Sequence, residues 1–195
     1  MPWLTNVKLS KQKINSYDGK VLILPVFQEE NLPSILQNID NKNGSILSKA
    51  FKTKYFTGKT NTALTLVANQ DNLDFIILSG LGKKDECGFE EIRIAVGRAI
   101  KNIQKLKVSK AALDTSFINE VDLNLSKIAR YTAYAAVMAS YNFLYYNQKK
   151  KKDYISFDLL EILHSGNLDL WQNGINTGLA IAEGSCLARD LGNHP

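Results

Sequence analysis

The sequence predicts an α/β fold: a mixed β-sheet sandwiched between helices. Three observations carry that expectation. Short apolar runs with strand character alternate along the chain with helical patterns. The helical patterns include long amphipathic ones, which need a sheet or a helix to cover them. And 195 residues are enough for one well-cored domain and hardly enough for two. Composition agrees, because 45% hydrophobic and 22% charged residues are ordinary globular usage and exclude a disordered or fibrous chain.

The elements follow in order. "KVLILPVF", Lys20 to Phe27, is a continuous apolar run bounded by Gly19 and the polar "QEEN", and reads as a buried strand. "DNKNG", Asp40 to Gly44, reads as a turn, with a short helix after it over Ser45 to Phe51. "ALTLVAN", Ala63 to Asn69, sets Leu64, Leu66 and Ala68 against Thr65, Val67 and Asn69, the alternation of a strand. "DNLDFIILSG", Asp71 to Gly80, opens on a turn and becomes a second strand, so the two form a hairpin across Gln70 to Asn72.

Phe89, Ile92, Val96, Ile100, Ile103 and Leu106 recur at three- and four-residue steps and predict a helix over Phe89 to Leu106. "KAALD", Lys110 to Asp114, is a short strand. A long helix is predicted from Leu125 to Tyr146. Its buried stripe is Leu125, Ile128, Ala129, Thr132, Ala135, Ala136, Ala139 and Phe143, and its alanines point to close packing. "ISFDLLEIL", Ile155 to Leu163, is another strand. A last helix spans Leu168 to Leu191, with Trp171, Ile175, Leu179, Ala182 and Cys186 on one side. Residues 1–166 are expected to form one domain. Residues 167–195 form a helix that either packs on it or leaves it, and in the second case exposes Trp171, Ile175 and Leu179 as an adhesive apolar face.

Several function classes fall away. "MPWLTNVKLSKQKINS" has no apolar core of a secretory signal. No apolar run is long enough to span a bilayer. Cys87 and Cys186 make no disulfide framework and have no Cys or His neighbour at metal-ligand spacing, so they read as free thiols in a reducing cytosol. A net charge of +5 permits an anionic partner without demanding one.

The motifs are each open to a plain structural reading. "SGLGKKDECGFEEIR" puts Gly80, Gly82 and Lys83 between a strand and a helix, where backbone N–H groups can hold a phosphate. Asp85, Glu86, Glu90 and Glu91 crowd the same helix start. They suit its dipole and repel a phosphate, so a tight strand-to-helix turn is the favoured reading. Lys149 to Lys152, near Tyr141, Tyr145, Tyr146 and Tyr154, could touch nucleic acid, but a solvated loop is favoured. His164 and His194 stand far apart with no nucleophile elbow and no H-E-x-x-H. Asp114, Asp122, Asp158 and Asp169 form no carboxylate cluster on one element. The residues by themselves give no catalytic constellation.

They do carry a resemblance. "EGSCLARDLGNHP", Glu183 to Pro195, resembles the inter-domain helix of the leucyl aminopeptidases, peptidase family M17, whose pattern is "G…AR-x-L-V-N-x-P-P-N". Glu183 opens the stretch. Gly184, Ala188, Arg189, Leu191, Asn193 and Pro195 match, and Gly192 stands where Val is usual. "LILPVF" is similar to the family's first core strand. "FIILSGLGKK" with "IRIAVGRAIKNI", including Arg93 and Gly97, is similar to its "GLG" turn and following helix. "YTAYAAVMASYNFLYYNQKKKKD" is similar to its long helix and basic loop.

The resemblance implies a macro-domain-like N-terminal domain. It implies a parent enzyme that is a cytoplasmic homo-hexamer and removes N-terminal residues, often Leu, from peptides with two divalent metals, Zn²⁺ or Mn²⁺. Such a pair polarises the scissile carbonyl and activates water. The family's metal ligands lie in a C-terminal domain within motifs like "NTDAEGRL", which this sequence does not contain. No catalytic or metal residue is therefore carried over, and the chain alone is expected to be inert, with an assembly or regulatory role. Pro195 then reads as the point where the helix hands over to the catalytic domain, its expected partner. A macro-like ADP-ribose or nucleotide module acting through Gly80 and Gly82 is the second reading. Weak nucleic-acid binding through Lys149 to Lys152 is the third.

Overall fold

The computed structural model describes residues 3–29, 31–144, 154–164 and 166–193. Strands β1 (Asn6–Ser10), β2 (Val21–Phe27), β3 (Ala63–Gln70), β4 (Leu73–Gly82), β5 (Lys110–Asp114) and β6 (Leu159–Leu163) make one sheet in the order β1-β6-β5-β2-β4-β3. All neighbours pair in parallel except β3, which runs antiparallel to β4 at one edge. The helices are α1 (Gln37–Lys42), α2 (Ile46–Lys52), α3 (Phe89–Leu106), α4 (Leu125–Ser140) and α5 (Leu168–Asn193).

The sheet is covered on both faces, which is why β2 reads as an unbroken apolar run: every residue in it is buried. Val21 and Ile23 point into a core shared with α3 and α4. Leu22, Leu24 and Val26 point the other way, into a core shared with α1 and α2. On α3 the periodic residues Ile92, Val96, Ile100 and Ile103 are all buried. The β3–β4 hairpin turns at Asp71 and Asn72, with Gln70 paired to Leu73. Leu64, Leu66 and Ala68 pack against the core while Val67 faces solvent, 73% exposed.

Four features depart from the sequence reading. Strand β1 was not foreseen. It is an edge strand in which only Val7 is buried, so its sequence carries little apolar signal. The stretch read as a turn over Asp40 to Gly44 belongs in part to α1, and the turn itself comes at Asn43 to Ser45. Asp40 is buried because its carboxylate accepts the N–H groups of Leu47 (2.8 Å) and Ser48 (3.2 Å) and the Ser48 hydroxyl, tying α1 to the start of α2.

Helix α4 stops at Ser140, not Tyr146. The Ser140 carbonyl, which would continue the ladder, instead accepts Gln104 Nε2 (2.7 Å) and Asn142 Nδ2 (3.1 Å). Its hydroxyl accepts the Leu4 N–H at 2.7 Å and donates to the Val137 carbonyl at 2.7 Å. Phe143 therefore lies beyond the helix, and Tyr145 and Tyr146 fall outside the described residues. Strand β6 begins at Leu159 and not at Ile155, because its two partners, β1 and β5, pair with it only from Leu159 to Leu163.

Helix α5 packs along α4 as an outer layer. Trp171, Ile175, Ala182 and Cys186 are each 0% exposed, so the face expected to be adhesive is covered within the chain itself. The contact is close because α5 presents glycine to the α4 backbone. A Cβ at Gly174 would overlap the Ser126 carbonyl oxygen and lie 2.6 Å from the Ala129 Cβ. One turn on, a Cβ at Gly178 would overlap the Arg130 carbonyl oxygen and lie 3.0 Å from the Ala133 Cβ. Small residues at four-residue spacing on both helices let the two backbones meet.

Candidate functional site

The glycine turn after β4 is closed by its own chain. The Gly80 N–H donates to the Thr62 carbonyl at 2.9 Å, and the Gly82 N–H donates to the Gly58 carbonyl at 2.9 Å. The segment around residues 58–62 lies directly on the turn, since a Cβ at Gly80 would sit 2.6 Å from the Gly58 carbonyl oxygen. Gly82 adopts φ +78°, a left-handed conformation that glycine takes without cost. Lys83 Nζ pairs with Glu86 at 2.6 Å. The Gly80 and Gly82 N–H groups and the Lys83 ammonium thus have partners within the chain. Gly88 follows as the α3 N-cap, its N–H donating to Glu91 Oε2 at 2.9 Å.

The other named residues lie on the last three turns of α5. Glu183, Gly184, Ala188, Arg189, Leu191 and Asn193 are all exposed, and Pro195 lies outside the described residues. Two of them join a polar clasp on Tyr141, the residue after α4. Tyr141 donates its hydroxyl to Asp190 Oδ1 at 2.7 Å, and Asn193 Nδ2 donates to the Tyr141 oxygen at 3.4 Å. The Arg189 guanidinium sits over the Tyr141 ring at 5.6 Å, and Trp3 stacks with the same ring at 6.0 Å. Burial and the hydrogen bond to Asp190 push the Tyr141 phenol up from its ordinary value. The clasp ties the end of α5 to the end of α4. The sequence reading matched Arg189 and Asn193 but had no way to find their partner Tyr141, which is distant along the chain.

Outside the clasp, α5 leaves three apolar side chains exposed, Ile181 at 48%, Leu187 at 57% and Leu191 at 67%; Leu187 and Leu191, four residues apart, share the face turned away from α4. Ile181 also lines a cleft of about 310 Å³ with Arg130, Tyr131 and Tyr134 of α4. Directly after β6, His164 sits near Trp171 of α5, ring centroids 6.4 Å apart, and among the described residues neither of its nitrogens has a hydrogen-bond partner. His194 and the basic run Lys149 to Lys152 lie outside the described residues.

Cys87 and Cys186 are free, and burial pushes each thiol up to about 11. Asp114, at the end of β5, is raised from its ordinary value by burial, an effect partly offset by hydrogen bonds from Ser116 and Thr115. Among the described residues no group of three or more His, Cys, Asp or Glu is placed to hold a metal ion. The metal pair that the resemblance implies therefore has no fit among these side chains. Among the described residues no helix is long and apolar enough to cross a membrane.

Comparison with known proteins sets these features in a family. Residues 23–150 match the model of the cytosol aminopeptidase family, N-terminal domain. A probable cytosol aminopeptidase of Nitrosococcus oceani is 32% identical over 179 residues, 89% of this chain and 35% of the relative. One from Clostridium perfringens is 31% identical over 200 residues, 97% of this chain and 37% of the relative. The chain thus spans little more than a third of the length of these relatives.

Among solved structures, a mutant of tomato leucine aminopeptidase superposes with a TM-score of 0.81 at 18% identity, over 97% of this chain and 38% of that one. The macrodomain of Mycobacterium tuberculosis DarG superposes with a TM-score of 0.58 at 14% identity, over 82% of this chain and 98% of that one, so the fold is macrodomain-like. The chain belongs to the cytosol aminopeptidase family, as an example of its N-terminal domain.

Proposed function

We propose that this chain is the non-catalytic N-terminal domain of a metal-dependent leucyl aminopeptidase that works in the cytoplasm as a homo-hexamer. In this reading residues 1–166 form the domain body, and residues 167–195 form the helix that leads to the catalytic domain. The hydrolysis of N-terminal residues from peptides, and the two Zn²⁺ or Mn²⁺ ions it needs, belong to the part of the relatives that this chain does not span. The domain's own work is assembly and the shaping of access to the active site.

The observation that carries this is the outer face of α5. Leu187 and Leu191 remain exposed on the side of the helix opposite the face buried on α4. The stretch that resembles the family's inter-domain helix lies at that exposed end, which supports it as the seat of a catalytic domain.

The test has two parts. The 195-residue chain, supplied with Mn²⁺ or Zn²⁺, should not hydrolyse leucine amide; turnover that survives repurification overturns the proposal. Replacing Leu187 and Leu191 by Asp should leave the melting of this chain unchanged, since both are exposed. In an aminopeptidase that carries this domain, the same change should impair assembly. An assembled and fully active double variant would remove α5 as the seat.

A further inference from the structure

A second cleft, of about 520 Å³, opens between α3 and the start of the edge strand β3, away from both α5 and the glycine turn. Arg98, Asn102 and Lys105 line one wall and Tyr55, Thr57 and Asn61 the other, and no carboxylate lines it. Arg98, Asn102 and Lys105 fall at positions i, i+4 and i+7 of α3, so they share one face. The two cations are two turns apart, roughly 10 Å along the axis.

Four cations elsewhere on the surface are held by carboxylates. Arg93 is held by Glu90, Lys83 by Glu86, Lys84 by Glu120 and Lys20 by Asp74. Among the described residues Arg98 and Lys105 have no acidic partner. Arg98 is nonetheless oriented, because its Nε donates to Asn61 Oδ1. Asn61 itself takes a left-handed backbone, φ 65°, in the bend before β3. With Nε engaged, the two terminal amino groups of the guanidinium are left for a ligand, in the fork that suits phosphate oxygens. Tyr55 stands at the rim, 78% exposed, as a flat aromatic surface.

We propose that this cleft binds a small phosphorylated molecule of the nucleoside diphosphate class. The diphosphate spans Arg98 and Lys105, and the organic part lies against Tyr55. Two cations on one wall suit the two charged groups of a diphosphate. The volume is that of a small-molecule site. The site does not depend on the aminopeptidase reading.

Calorimetric titration of the 195-residue chain with ADP, and separately with inorganic pyrophosphate, at fixed ionic strength, tests it. ADP should give saturable heat, and affinity should fall as salt rises. Arg98→Gln and Lys105→Gln should each weaken ADP about tenfold, as loss of a charge-assisted hydrogen bond does. Tyr55→Ala should weaken ADP and leave pyrophosphate unchanged. No saturable heat at millimolar ADP overturns the proposal. So does ADP binding that neither Arg98→Gln nor Lys105→Gln alters. Pyrophosphate binding as tight as ADP overturns the role of Tyr55. Lys105 does not touch the residue 57–62 segment by hydrogen bond, so Lys105→Gln decides the matter even if Arg98→Gln disturbs that loop.

Discussion

Gly174→Ala should destabilise the chain even though alanine is the better helix former. The gain is easily stated: in a helix interior Ala is favoured over Gly by about 1 kcal/mol. The loss comes from the α4 seam. The added methyl would overlap the Ser126 carbonyl oxygen and lie 2.6 Å from the Ala129 Cβ and 3.1 Å from the Arg130 nitrogen. Two of these three neighbours are backbone atoms, which cannot turn aside, so the helices must separate. Overpacking costs about 1–3 kcal/mol, and backbone overlap places this case near the top of that range. The net is a loss of about 2 kcal/mol, or a fall in Tm of roughly 4–8 °C for a chain of this size.

Gly184 on the same helix supplies the control, because a Cβ there meets nothing within 4 Å. Gly184→Ala should gain about 1 kcal/mol and raise Tm by roughly 2–4 °C. Thermal unfolding can be followed by far-UV circular dichroism and by the fluorescence of the buried Trp171. If Gly174→Ala melts as high as Gly184→Ala, the two helices do not meet backbone to backbone and the account of the seam is wrong.

Three further outcomes are expected. Asp114 has a raised pKa in the folded chain, so its contribution is fully present below the unfolded value of 3.8 and is lost as pH rises through the folded value. Asp114→Asn should therefore be more stable than the parent in urea at pH 7, with an advantage that fades below pH 3.8; an advantage independent of pH would contradict this. Ser140→Ala should cost about 1–3 kcal/mol by leaving the Leu4 N–H without its acceptor. Hydrogen exchange in β1 should quicken, and unchanged protection of Asn6 to Ser10 would refute the anchor. Cys186, fully buried and with its thiol pushed up to about 11, should resist a disulfide reagent at pH 8 until the chain is unfolded. Rapid labelling of the native chain would show that α5 is not seated on α4.

The parts of the fold that were legible are those whose chemistry repeats locally. The apolar run of β2, the alternation of β3 and the stripe of α3 each encode burial within a few residues, and each appears where expected. What stayed hidden depends on partners far along the chain. The end of α4 is set by Gln104 and Leu4 meeting Ser140, not by any breaker in its own sequence. The buried Asp40 looked like a turn residue because polar composition suggests one; its task is to hold the start of α2.

The same holds for function. The motif on α5 was readable as a pattern, whereas its clasp on Tyr141 needed three dimensions. The cleft at Arg98 and Lys105 had a sequence signal, two cations seven residues apart on a helix. That signal acquires meaning only once Tyr55 and Asn61 are seen opposite.

The placement of β1 beside β6 bears on how the chain is made. Among the described residues β1 pairs only with β6, about 150 residues later in the chain, Asn6 with Leu159 through Ser10 with Leu163. The strands β2, β3, β4 and β5 can join one another earlier, because their partners are nearer in sequence. Until β6 emerges, β5 has a bare edge and β1 has nowhere to go. Closure of the sheet is thus a late, long-range event, which slows folding and leaves an open strand edge during synthesis. A polypeptide halted before residue 159 would present two such edges at once, and in the cell it would be a client for chaperones.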